Sequence, residues 1–118
     1  MLYPAYYDLP PIIKGYTWDV AFTYEVNNEP MDLTGYSAEF FLYDEFDDEQ
    51  EIIKLTSTAG EIELRDDGTI LIIMTPEQTD SIPEGRKGYI LDLLFPSGAP
   101  KYQILVGYVP VLIRGNAI

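Results

Sequence analysis

Twenty Asp and Glu side chains carry most of the chemistry this chain can do, because it has no cysteine and no histidine. Thiol nucleophiles, disulfides, thiolate metal sites, Ser-His-Asp triads and imidazole proton relays are excluded together. Carboxylates alone leave two options, which are to hold a hard cation or to work in pairs as acid and base. The densest acidic run is Asp44-Glu45-Phe46-Asp47-Asp48-Glu49-Gln50-Glu51. Calcium takes several oxygens from one loop, but this spacing does not follow the D-x-[DN]-x-[DN]-G pattern, and no glycine allows the sharp turn. The run reads as a solvated loop between strands, and no metal or cofactor is expected.

Paired carboxylates hydrolyse glycosides when two of them converge in a cleft and burial raises the pKa of one. No Asp or Glu here stands on an apolar strand face as a buried acid would. Asp92 comes closest, between Leu91 and Leu93, but on the outward register. Gly85, Gly88, Gly98 and Gly107 do not space as a phosphate loop and read as turn and bulge residues. No catalytic residue is therefore expected.

Aromatic side chains are the other resource: ten Tyr, five Phe and one Trp. Trp18, Tyr24, Tyr89 and Tyr102 fit a core. Phe41 and Tyr43 fall on the outer face of their strand beside the acidic run, and exposed aromatics of that kind suit protein contacts. Residues 1–14 contain Tyr3, Tyr6 and Tyr7 among prolines, the pattern of an extended arm and not of a helix. The arm packs either on its own domain or on a neighbouring subunit.

The elements that must position these groups are strands. Trp18, Val20, Phe22 and Tyr24 alternate with Asp19, Ala21, Thr23 and Glu25, the period of a half-buried strand. Ala38, Phe40 and Leu42 repeat the pattern within residues 37–43. Further short strands are expected at about 52–55, 61–65, 69–74, 88–95 and 102–113, with Asp66-Asp67-Gly68 as a hairpin turn. On strand 69–74 both faces are apolar, which implies cover on both sides or a partner. Thr75-Pro76-Glu77-Gln78 is a helix start with a capping box, and Pro83 and Gly85 end the helix near residues 76–82. The expected fold is all-β, an antiparallel sandwich of about seven or eight short strands filling one domain over residues 15–118.

Composition narrows the function. The chain of 118 residues carries a net charge of −13, which disfavours nucleic acid and anionic membranes as partners. With 47% hydrophobic residues it is nonetheless a folding sequence. Met1-Leu2-Tyr3-Pro4 does not open a signal peptide, and no apolar run is long enough for a bilayer. Residues 1–60 hold twelve acids against two bases, and residues 61–118 hold eight against five. The acidity is thus concentrated in the first half, and an assembly partner there should present a basic or neutral surface.

Several segments in order carry a family resemblance: Trp18-Asp19-Val20, Met31-Asp32-Leu33-Thr34-Gly35-Tyr36-Ser37-Ala38-Glu39-Phe40, Gly60-Glu61-Ile62-Glu63-Leu64, Asp67-Gly68-Thr69-Ile70, Met74-Thr75-Pro76-Glu77-Gln78-Thr79, Gly88-Tyr89-Ile90-Leu91-Asp92-Leu93 and Gly107-Tyr108-Val109-Pro110-Val111. Together they resemble the N-terminal domain of phage baseplate upper proteins and related small virion modules of tailed bacteriophages. That likeness implies an Ig-like β-sandwich that attaches to other virion subunits in a symmetric or homo-oligomeric setting. In that family a fibre or receptor-binding region usually follows. The sequence ends at Ile118 without one, which favours a free-standing baseplate, tail or capsid-surface adaptor. The expected function is a non-enzymatic virion structural protein, binding its partners through Tyr3, Tyr6, Tyr7, Phe41 and Tyr43. The alternative is a carbohydrate-binding module for host-surface glycans that uses exposed Tyr and Trp.

Overall fold

The computed structural model describes residues 5–44, 47–96 and 101–113. Two sheets face each other. The larger contains β1 (Ala5–Tyr6), β2 (Ile12–Ile13), β6 (Ser37–Asp44), β7 (Asp47–Thr56), β10 (Gly85–Leu94) and β11 (Lys101–Leu112). Its order is β1-β11-β10-β6-β7, with β2 also on β11. The smaller is β3 (Trp18–Thr23), β9 (Thr69–Met74) and β8 (Ile62–Leu64), with β9 in the middle. A separate two-residue pair, β4 (Glu25–Val26) and β5 (Glu29–Pro30), closes one end. The helix α1 (Pro76–Asp80) carries the chain from the small sheet to the large one.

This is an Ig-like sandwich, because its strands pair in the order that defines that fold. The small sheet has the B-E-D pairing and the large sheet the G-F-C pairing, with one more strand added beyond C as in variable-type domains. All pairs among the longer strands are antiparallel, whereas β1 and β2 run parallel to β11. Among the described residues, seven strands have three residues or more and the other four are two-residue ladders.

Alternation sets the core. Trp18 on β3, Phe40 and Leu42 on β6, Ile70, Ile72 and Met74 on β9, and Leu91 and Leu93 on β10 turn inward and are buried. Phe40 is fully covered, with the Tyr89 ring stacked at 5.5 Å and Trp18 at 6.2 Å. Turn chemistry agrees with the sequence. The Asp32 carboxylate accepts from the Thr34 amide at 2.9 Å, Gly35 takes φ +85°, and Leu33 plugs the end of the core. Thr75 and Gln78 form the expected capping box on α1, and Ile82 is buried beneath it.

Two expectations change. The acidic run 44–51 is not a loop: Asp44 ends β6, and residues 47–51 begin β7, with Tyr43 opposite Glu51 and Asp44 opposite Asp47. Glu51 and Asp47 pair with β6, and the register shifts twice on the way. Glu45 and Phe46 lie outside the described residues.

The N-terminal stretch is extended and packs on its own domain. Leu9 and Ile12 are buried in the common core, and the Tyr7 and Leu9 amides donate to the Val106 and Tyr108 carbonyls, each at 2.9 Å. The Trp18 indole donates to the Pro10 carbonyl, and the Lys14 ammonium donates to the last carbonyls around α1, those of Asp80 and Ile82. Those carbonyls are what a helix end leaves unpaired. Tyr3 lies outside the described residues.

Candidate docking face

Strand register builds one continuous row across the outer side of the large sheet. Lys54 on β7 is opposite Phe41 on β6, Phe41 opposite Ile90 on β10, Ile90 opposite Val106 on β11, and Val106 opposite Tyr6 on β1. Residues directly opposite share a face, so these five side chains run side by side. Tyr6 is 63% exposed at the edge.

The next row has a gap in it. Gly88 lies opposite Tyr43 on one side and Tyr108 on the other, and a Cβ placed on it would meet nothing within 4 Å. Two tyrosines thus border a trough whose floor is bare backbone. Arg86 lays its guanidinium 4.3 Å from the Tyr108 ring, and Tyr6 meets that ring edge-on at 6.3 Å.

On the other side of the apolar row sits a charged cluster. Lys101 reaches Glu39 at 2.9 Å and Asp92 at 3.8 Å, and Lys54 reaches Glu39 at 3.3 Å. The Lys101 hydrogen bond holds the Glu39 carboxyl below its ordinary range, despite partial burial. Burial pushes Asp92 the opposite way, against the pull of Lys101. Two neighbouring carboxylates with opposed shifts are the pattern of an acid–base pair. Here, however, Lys101 bridges them on an open sheet face, where a substrate bond would have to lie. The juxtaposition of Glu39 and Asp92 has no signal in the sequence, since only β6–β10 register creates it.

A pH prediction follows from Glu39. Its folded pKa is depressed, so the stability it adds is complete above the unfolded carboxylate value near ~4.3 and is lost as pH falls through the folded value. Glu39→Gln should therefore be less stable than the parent at pH 7, with the difference shrinking toward acid. Urea melts of both proteins between pH 3 and pH 7 (a range spanning ~4.3) check this, and a gap that widens in acid would contradict it.

The aromatic residues singled out from sequence fall as follows. Tyr6 and Tyr7 are exposed, Tyr43 is half-buried, and Phe41 is only 9% exposed instead of open. Phe41 lies on an inner strand of the sheet, where Tyr43 stacks on it at 6.0 Å and the Lys54 and Lys101 ammonium groups sit at 5.4 and 6.0 Å from its ring. Both ammonium groups thus lie over the ring while pairing with Glu39. Tyr7 points away from this face, toward Phe22 at 6.2 Å. Register thus joins Tyr6, Phe41 and Tyr43 on one face and adds Ile90, Val106 and Tyr108, which sequence reasoning did not single out.

Elsewhere, a cavity of about 480 Å³ opens between the sheets, lined by Phe22, Tyr24, Ile70, Leu91, Ile104 and Leu105 among others. Glu25 is its only carboxylate, so no acid pair converges there among the described residues. No cluster of three metal-capable side chains occurs among them either, and no helix is long and apolar enough to cross a membrane.

An Ig-like sandwich with an aromatic-rich outer sheet face is the class that fold and geometry define. No family model matches this chain, and no curated protein matches it. Among solved structures it is similar to murine CRIg at 12% identity and a TM-score of 0.45, over 91% of this chain and 92% of that one.

Proposed function

We propose that this protein is a non-enzymatic structural subunit of a tailed-phage virion, and that it docks other virion subunits through the outer face of its large sheet. The phage assignment rests on the sequence resemblance, above all on Asp32-Leu33-Thr34-Gly35-Tyr36 followed by an alternating strand. The docking assignment rests on one observation, the unbroken row Lys54, Phe41, Ile90, Val106 and Tyr6 across five strands. A one-sided antiparallel sheet ordinarily shows polar side chains to water, and an apolar band with aromatic flanks is the composition of a contact surface.

A carbohydrate-binding module requires open ring faces. Arg86 already lies against Tyr108, and Tyr43 is stacked on Phe41, which favours protein docking.

Deleting the arm is a poor test, because Leu9 and Ile12 belong to the core. Gly88→Leu is better: it grows a side chain into the trough from a position where a Cβ has free space. Gly88→Leu and Tyr6→Ala should each lower incorporation into particles by about tenfold or more, the size of an interface hot spot, with unchanged melting temperature. Full incorporation of both variants would overturn the assignment.

A further inference from the structure

The strands at the sheet edges are not equally guarded. β7 carries Lys54 and shifts register twice against β6, β8 has three residues, and β1 and β2 have two each, with Pro10 and Pro11 between them. Short, charged, irregular or proline-flanked edges do not template another chain. The strand β3 has none of these guards: Trp18–Thr23 runs for six residues without lysine, proline or glycine, and its register with β9 is unbroken.

Ladder phase fixes which backbone groups face that edge. The Tyr24 amide donates to the Gly68 carbonyl at 2.8 Å, and the same register carries back along β3, so its even-numbered residues bond to β9. The amides and carbonyls of Asp19, Ala21 and Thr23 therefore point away from the sheet, and no strand lies beyond them among the described residues. An Ig-like sandwich ordinarily lays its first strand there, beside B. In this chain the N-terminal stretch is spent on β11 instead, through β1, β2 and the Tyr7 and Leu9 amides.

The seam is open on the inside as well. Trp18 is buried, but Val20, Phe22 and Tyr24, which follow it on the inward face, are only half-buried. Phe22 and Tyr24 line one side of the 480 Å³ cavity, and Ile104 and Leu105 of β11 line the other. Charge along this stretch has one sign. From Thr17 to Pro30 the charged residues are Asp19, Glu25 and Glu29, and the base before them, Lys14, is held by the carbonyls that end α1.

We propose that the β3 edge receives an extended segment of another protein, which adds a fourth strand to the small sheet, sends alternate apolar side chains into the cavity and carries basic side chains outward. An extended peptide is the ligand whose own amides and carbonyls repeat at strand spacing, so it answers the row at Asp19, Ala21 and Thr23. Backbone bonds then supply affinity, while the apolar cavity and the acidic residues select the sequence. This seat is separate from the outer face of the large sheet.

Amide exchange on the full chain tests this, with a peptide of about six residues that alternates valine and lysine as the probe. In the free chain the Ala21 and Thr23 amides should exchange much faster than those of Val20 and Phe22. The alternating peptide should slow Ala21 and Thr23, whereas a peptide of the same composition with its valines in one block, equal in charge, should not. Ala21→Pro removes an outward amide at no cost in bonds to β9, and Thr23→Pro does the same at the next outward position. Each should weaken peptide binding about fivefold or more, the worth of one backbone bond, and melting curves show that the variant is folded. If neither proline variant folds, exchange on the unmodified chain still decides. Ala21 and Thr23 amides already slow in the dilute free chain would mean that the chain fills its own edge, and would overturn the inference. Slowing that grows with protein concentration alone would assign the edge to a second copy and overturn it too, as would an equal response to both peptides. Gly88→Leu should bind the peptide like its parent, so this inference and the docking role of the large-sheet face fail separately.

Discussion

Phe40→Ala should cost about 3–5 kcal/mol, most of the margin by which a domain of this size stays folded. The ring is fully buried on β6, stacked on Tyr89 from β10 and tilted against Trp18 from β3. Trp18 belongs to the small sheet and the other two to the large one, so the trio spans the gap between sheets. In antibody domains a disulfide makes that link. This chain has no cysteine, and aromatic packing must hold the sheets together instead. Truncating the middle ring removes transfer energy and leaves a cavity that two rigid sheets cannot close. Phe40→Leu, which keeps most of the volume, should lose only about 1.5 kcal/mol. Equilibrium unfolding in urea, with the slope compared between variants, measures both. A Phe40→Ala protein within about 1 kcal/mol of the parent would refute the inter-sheet role.

The second large effect sets two glycines against each other. Gly107→Ala should destabilise by about 2–4 kcal/mol, whereas Gly88→Ala on the neighbouring strand should change stability by no more than about 0.5 kcal/mol. A Cβ on Gly107 would run into the Tyr7 carbonyl and come within 3.1 Å of the Tyr89 ring, while one on Gly88 meets nothing. The Tyr7 carbonyl cannot yield cheaply. It accepts the Tyr89 hydroxyl at 2.5 Å, and the Tyr7 amide donates to Val106. Burial pushes the Tyr89 hydroxyl pKa up, so it stays a donor at all ordinary pH. A methyl group at residue 107 therefore pries the N-terminal stretch from β11, exposing Leu9 and Ile12. Faster amide exchange at Tyr7 and Leu9 in Gly107→Ala, and not in Gly88→Ala, is the expected signature. Equal melting temperatures for the two variants would contradict the close approach seen here.

Local rules were enough for much of this fold. Alternation at Trp18, Val20 and Phe22, and at Ala38, Phe40 and Leu42, identified two strands and the sides they bury, because side chains in a strand point to opposite faces in turn. Thr75, Pro76 and Gln78 marked the helix start, and Asp32 to Gly35 the plugged turn, since both are contacts within four residues. The acidic run misled for the same reason. Like charges argue for a loop when only neighbours in sequence are counted, but β6 supplied partners for Asp47 and Glu51 that no local rule can see.

The sequence by itself determined that this protein is an all-β sandwich without thiol or imidazole chemistry, strongly acidic, and studded with aromatics at strand periods. Only the tertiary structure decided which of those aromatics work together. Period two says which side of its own strand a residue takes, and it is silent on which strands become neighbours and in what register. Register set Lys54, Phe41, Ile90, Val106 and Tyr6 in one row, opened a trough at Gly88, and brought Glu39 beside Asp92 under Lys101. It also left Leu71 and Ile73 facing outward on the small sheet, where two apolar strand faces had implied cover on both sides or a partner.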